Sequence, residues 1–369
     1  MAGIYLHIPF CKSKCAYCNF FSVVSEKQRA DFLEALKKEA VLRKDYLGGE
    51  EVRTVYFGGG TPSLLAPLEI FEILDVLNKN YHIVNNPEIT LEANPDTVSK
   101  ELLFEYNKLG INRLSIGIQS LFDDDLQYLS RKHDSQHALQ VLEWAKEVGF
   151  QEVTLDLIYG IPTLTDKKWR KNLEIFFAAG FNHLSAYALT VEEKTALGQR
   201  INKGVAAAVS EEDTVRQYEI LCEMTENQGF EHYEISNFAR PGHNSNHNII
   251  YWKGEKYLGL GPSAHSFDGV SRQWNVASVK DYCESYSFER EELTLDDRYN
   301  EYIMTSLRTM WGVDLEYIRC VFGKEYAEKF KNKINRYIID GKIYQKDNKF
   351  ILNDNGMLFA DGIASELFA

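Results

Sequence analysis

YLHIPFCKSKCAYCNFFS, residues 5–22, sets a short apolar run directly ahead of three cysteines, Cys11, Cys15 and Cys18, spaced C-x3-C-x2-C. The run reads as a strand and the thiols as the loop beyond it, so this stretch founds the first unit of the fold. Three thiolates suit a [4Fe–4S] cube in which one iron lacks a protein ligand. A structural zinc ion asks for a fourth Cys or His at conventional spacing, and none follows Cys18 closely. A disulfide framework fits poorly with 369 residues, six cysteines and no signal-peptide pattern. Cys222, Cys283 and Cys320 are scattered and read as small buried hydrophobes.

Outward from the cysteine loop, apolar runs alternate with helical periodicity. Strands are expected at Ile4–Ile8, Arg53–Phe57, Glu88–Glu92, Arg113–Gln119, Glu152–Tyr159 and His183–Leu189. Helices are expected at Lys27–Tyr46, Pro67–Asn78, Ser99–Leu109, Ser135–Val148 and Asp166–Ala179. Strand and helix in regular alternation predict right-handed βαβ units and a parallel sheet. Six units suggest an α/β fold of the partial (β/α)6, TIM-like barrel kind, with a doubly wound open sheet as the alternative that periodicity leaves open.

Polar residues gain meaning from where they fall. Glu92, Gln119 and Asp156 stand at or near the C-terminal ends of apolar strands, in ITLEANP, LSIGIQS and VTLDLIYGIP. In parallel α/β sheets that end holds the ligand, whereas the plainer reading is a strand-end residue capping the next helix. FGGGTPS, residues 57–63, ends the second strand; its glycines let backbone approach a ligand, although such a triplet is often only a turn.

Downstream, a charged helical region at 198–227 leads into a stretch rich in His, Asn and aromatics. This stretch carries H-N-x-x-Y-W, from His247 to Trp252, and GLGPSAHS with His265. Exposed, such a surface offers imidazole to haem iron and rings to a macrocycle; alternatively it is a loop whose Tyr251 and Trp252 fill a core. Three helical patterns after residue 295, then the hairpin-like KIYQKDNKFILN, suggest a small helical, winged-helix-like domain, expected as a lid over the barrel mouth. The divisions are 1–230 for the barrel, 231–294 for a connecting segment and 295–369 for the C-terminal domain.

Charge limits the partners. A net charge of −13, with basic and acidic residues nearly balanced in the last domain, argues against nucleic acid. No apolar run is long enough for an integral membrane segment, which leaves at most a peripheral contact. A start without a basic leader points to the cytoplasm.

The cysteine spacing resembles the signature of the radical S-adenosylmethionine (SAM) superfamily. The order YLHIPFCxxxCxxC, FGGGTPS, EANP, GIQS, LSRKH, DLIYGIP, SAYAL, HNxxYW and GLGPSAHS resembles, within it, the oxygen-independent coproporphyrinogen oxidase-like group over nearly the whole chain. Three features are similar to the haem-chaperone type of that group. The first strand begins almost at Met1, Phe20 stands where the oxidase carries a further Cys, and HNxxYW is present. The resemblance implies Cys11, Cys15 and Cys18 as cluster ligands. It implies SAM contacts from Tyr5, Gly59, Gly60, Thr61, Glu92, Gln119, Arg131 and Asp156, with Tyr17 beside the adenine and Ala188 at a later contact position. Arg131 is the expected partner of the SAM carboxylate. His247 is the implied contact to haem iron. The expected function is binding haem and delivering it to haemoprotein acceptors, with an electron donor such as a flavodoxin or ferredoxin. The alternative is radical decarboxylation of coproporphyrinogen III, so whether the chain is an enzyme stays open.

Overall fold

The computed structural model describes residues 1–369. Six parallel strands form its centre: β1 (Ala2–Ile8), β2 (Val52–Gly59), β3 (Ile83–Ala93), β4 (Arg113–Gln119), β5 (Glu152–Tyr159) and β6 (His183–Ala188). Between them run α1 (Arg29–Leu42), α2 (Pro67–Asn80), α3 (Lys100–Lys108), α4 (Asp123–Tyr128), α5 (Ser135–Val148) and α6 (Asp166–Ala179). The six strands lie in the sheet in chain order, each parallel to the next. A doubly wound sheet reverses direction at a switch point; this one does not, and the partial-barrel expectation stands. β4 is buried along its whole length, helices covering one face and the barrel interior the other.

The helices start and stop where local chemistry directs. Ser99, Asp134 and Thr165 accept backbone N–H groups at the starts of α3, α5 and α6. Gly149 and Gly180 take the left-handed conformation that closes α5 and α6. Helix α4 lies outside the expected set, because its DDD start resembles a solvated loop more than an amphipathic face.

After β6 come α7 (Ala196–Asn202), α8 (Glu211–Asn227), β7 (Glu231–Glu234), β8 (Asn237–Ala239) and α9 (Asn246–Trp252). Then follow β9 (Lys256–Leu260), β10 (His265–Phe267), β11 (Ser271–Asn275), α10 (Val279–Glu284) and β12 (Phe288–Glu292). The segment 231–294 is more than a connector. Its strands flank the barrel on both sides, β8 antiparallel to β6 and β9 parallel to β1, completing one twelve-stranded sheet. Glu39 of α1 fastens the arrangement. Its buried carboxylate accepts from Gly261 N (2.9 Å), Asn275 Nδ2 (2.8 Å) and the Tyr282 hydroxyl (2.6 Å), with Arg43 at 3.3 Å. A carboxylate withdrawn from water persists only with such partners, and these come from three separate elements.

Residues 295–369 add α11 (Leu295–Leu307), β13 (Val313–Asp314), α12 (Leu315–Val321), α13 (Lys324–Ile339), β14 (Ile343–Lys346), β15 (Lys349–Leu352), α14 (Asp354–Met357) and α15 (Ala360–Leu367). A three-stranded sheet ordered β13-β15-β14 beside these helices matches the winged-helix expectation. The lid expectation is corrected: the unit packs through α11 against α9 and through Thr309 against Glu234, and it supplies no residue to the cavity beside the cysteines.

Candidate functional site

At the C-terminal ends of the barrel strands, here the upper mouth, the chain leaves β1 and folds the cysteine loop back on itself. Val23 N donates to Pro9 O (2.7 Å) and Cys11 N to Val23 O (3.0 Å). Ala16 N reaches Leu129 O (3.2 Å), while Ala16 O receives Leu197 N (2.7 Å), so the loop is tied to two distant segments. Cys11, Cys15 and Cys18 are all free and half-buried. Burial pushes the Cys11 and Cys18 thiols up from the ordinary range. Thr61 Oγ1 donates to Cys11 Sγ (3.4 Å) and Arg131 Nη1 to Cys15 Sγ (3.5 Å). The Thr61 hydroxyl offsets part of the rise at Cys11.

These thiols fit a cube better than a single ion. A tetrahedral ion draws its donors close together, and the chain has one group of three whose donor atoms all lie within 4.8 Å of one another: Cys222, His232 and Asp354, elsewhere. The loop thiols do not all gather that closely, and no further Cys or His lines their cavity, which suits three thiolates on a [4Fe–4S] cluster with one iron left open.

That cavity, about 380 Å³, runs from the cysteine loop into the barrel. Of the expected residues, Tyr17, Gly59, Gly60, Thr61 and Ala188 line it together with Glu92, Gln119, Arg131 and Asp156. At Gly59, φ is +105° and a Cβ would come within 2.6 Å of the His7 ring. At Gly60 a Cβ would come within 2.7 Å of the Ile8 and Phe10 carbonyl oxygens. Only glycine lets β2 end so close to the cysteine loop.

Two acids face the cavity from the strands. Glu92 accepts from the Tyr56 hydroxyl (2.8 Å) and Gly59 N (3.1 Å), yet burial, with Asp156 adding to it, pushes its carboxyl up to about 7. The Asp156 carboxyl is pushed up to about 6 by burial, while Ser115 Oγ donates to both of its oxygens (3.0 and 3.1 Å). Acids held this near neutrality, neither of them in an ion pair although Arg131 acts on Asp156 from a distance, suit a ligand that brings hydroxyl, amino or positive groups. Gln119 sits at a register shift in β4 with φ +67°, a strained conformation that terminates the strand.

Arg131 takes a larger part than expected. Its Nη2 donates to Gly117 O (2.6 Å) and Asn94 Oδ1 (2.7 Å), while Nη1 faces Cys15, so it braces the strand ends against the cysteine loop. Asn94 also donates to Thr61 Oγ1 (3.0 Å). Asn94, Ser115 and Tyr187 line the cavity without having been singled out from sequence. Counting back from Gln119 by twos reaches Gly117 and Ser115, a signal that the period of a strand makes available.

Tyr5 and His247 lie outside that lining. Tyr5 is half-buried, its hydroxyl 3.2 Å from His7 Nδ1 and its ring stacked on Tyr56, so its expected SAM contact remains a proposal. His247 belongs to no exposed surface: it is 1% exposed, at the starts of β1 and β2. Its Nδ1 lies 2.7 Å from Thr54 Oγ1 and its Nε2 2.9 Å from the Tyr251 hydroxyl. Burial takes the imidazole down to about 3. With both nitrogens committed, His247 is a core residue in this conformation, unsuited to binding iron directly. Gly3 makes room for it, since a Cβ there would come within 2.8 Å of Ile250 and 3.3 Å of the His247 ring. The result is one column through the barrel: Tyr251, His247, Tyr56 (4.9 Å between its ring and His247), Glu92, then the cavity. His265 stands apart, exposed and stacked on Trp274.

Residues 5–176 match the model of the radical SAM superfamily, and residues 293–359 that of the HemN C-terminal domain. The chain is 31% identical to the heme chaperone HemW of Bacillus subtilis, covering 98% of each chain. It is 33% identical to heme chaperone HemW of Mycobacterium tuberculosis, over 99% of this chain and 94% of the relative. Among solved structures, coproporphyrinogen III oxidase (HemN) of Escherichia coli superposes with a TM-score of 0.86, covering 100% of this chain and 90% of that one. At 23% identity that likeness concerns the fold. No helix is long and apolar enough to cross a membrane.

Proposed function

The chain belongs to the HemW family within the radical SAM superfamily, and from that membership we propose that it is a haem chaperone, binding haem and passing it to haemoprotein acceptors. The observation that carries this reading is the match to curated haem chaperones along almost the full length of both chains, barrel and C-terminal domain alike. Cys11, Cys15 and Cys18 would hold a [4Fe–4S] cluster and leave one iron for SAM. When reduced, such a cluster supplies an electron to the SAM sulfonium.

The chain's own residues define what surrounds that chemistry. Gly59, Gly60 and Thr61 would offer backbone to the amino-acid end of SAM. Arg131 would offer its guanidinium to the carboxylate. Glu92 and Asp156 would accept from amino and hydroxyl groups, and Gln119 would fix the strand end beside them. Tyr17 and Ala188 would flank the adenine. An acidic electron carrier such as a flavodoxin or ferredoxin fits the exposed Lys12, Lys14 and Lys132 around the cluster loop. We place the protein in the cytoplasm and keep the division at 230 and 294 as functional units.

The decisive experiment pairs two measurements on anaerobically reconstituted protein. Haem titration is expected to show a saturable Soret shift and transfer to an apo-haemoprotein. Incubation with coproporphyrinogen III, SAM and a reductant is expected to give no protoporphyrinogen. Product without haem transfer would overturn the chaperone reading in favour of the oxidase.

A further inference from the structure

A second cavity, about 740 Å³, opens at the opposite end of the barrel, between α9, the starts of β9 and β11, the end of β10, and the C-terminal domain. It lies at the lower mouth, because β9 begins there, with Lys256 and Tyr257 beside Ala2 and Gly3 at the start of β1. One wall is Tyr251, Trp252, Tyr257 and Phe267; the other, from the C-terminal domain, includes Tyr302, Trp311 and Tyr317. Tyr317 is 46% exposed and Met304 38%, so the wall from the C-terminal domain leaves apolar surface open in the cavity.

Each acid in the lining has a partner nearby, although Glu255 Oε2 accepts no hydrogen bond. Glu301 pairs with Arg272 (2.8 Å), Glu255 faces the N-terminal ammonium (3.8 Å), and Asp314 accepts the first N–H groups of α12. Lys253, Arg298 and Lys349 line the same cavity and pair with no carboxylate within 4.0 Å. Three cations without a carboxylate partner, Lys253 lying 5.1 Å over the Trp311 ring, stand around an aromatic space in a protein of net charge −13 and complement a flat apolar ligand that carries carboxylates at its edge.

We propose that this cavity is the haem seat, with the macrocycle between the tyrosine and tryptophan walls and its two carboxylates on Arg298 and Lys349. The inference rests on the chaperone reading above and extends it: the C-terminal domain forms half of the site, and haem sits at the end of the barrel away from the cluster. His247 touches this site only through the Tyr251 hydroxyl, so its part is to position that ring.

The test is haem titration of the full, cluster-reconstituted chain carrying Arg298→Glu and Lys349→Glu together. Affinity is expected to fall by about tenfold or more and to lose most of its salt dependence, with iron content and SAM binding unchanged. Met304→Trp, which removes room rather than charge, is expected to weaken haem as well. Lys324→Glu with Lys331→Glu, exposed cations of α13 outside the cavity, is expected to leave affinity as it was. Unchanged haem affinity in both cavity variants, or equal weakening by the α13 pair, overturns the proposal while the chaperone reading survives. An unaltered chain that binds no haem at all overturns the chaperone reading itself.

Discussion

The two mouths of this barrel are built by opposite means. At the upper one, acids and glycines converge from consecutive strand ends, with Arg131 among them donating to Gly117, Asn94 and Cys15. At the lower one, aromatic rings and free cations gather from segments far apart in sequence. The upper mouth is prepared for a small polar ligand beside thiols. The lower is prepared for a large apolar one with anionic edges. The difference teaches that one fold can hold two ligands of opposite character by keeping a packed column between them.

The sharpest way to break that comparison is Cys11→Ser, Cys15→Ser and Cys18→Ser together. Iron and sulfide are expected to fall to background, while haem affinity stays within about twofold if the two mouths are separate sites. Next, His247→Ala removes the middle of the column, leaving Thr54 and Tyr251 without their partner. A loss of about 2–4 kcal/mol in urea unfolding is expected, with iron content retained and haem affinity reduced as Tyr251 loses its support.

Glu92→Gln keeps the shape of the upper cavity and removes an acceptor. SAM binding by calorimetry is expected to weaken about tenfold, with haem unaffected. The smallest effect is on pH. Burial raises Glu92 to about 7 in the folded chain, far above an unfolded glutamate, so the folded state binds the extra proton. Its contribution is therefore fully present below about pH 4 and is lost as pH rises through 7. Between about pH 6 and 8 the SAM-free protein is expected to lose about 1 kcal/mol that Glu92→Gln does not lose.

The upper mouth was legible in the sequence because each residue sits at a repeated place in a repeated unit. The spans of β4, β5, α5 and α6 coincide with their expected bounds, and Glu92, Gln119 and Asp156 follow from strand ends. Local pattern carries that information. It does not carry the burial of His247, which depends on α9 seating against Gly3 and Thr54, residues some two hundred and forty and one hundred and ninety positions away. Nor does it reveal that Lys349 joins Lys253 at one cavity, since neither has a neighbour in sequence that says so. The strands after residue 230 were hard to read for a related reason: three to five residues each, they show too little alternation to separate from loop.

The carboxylate of Glu39 has a practical bearing on dissecting this molecule. A shortened chain ending at residue 230 would keep α1 but strip Glu39 of Gly261, Asn275 and Tyr282, and it would lay bare the side of β1 that β9 now pairs. An unsolvated anion and a raw sheet border are together a recipe for precipitation. Anyone wishing to study the iron–sulfur half alone should therefore cut no earlier than the end of α10, where the last of those partners has been made.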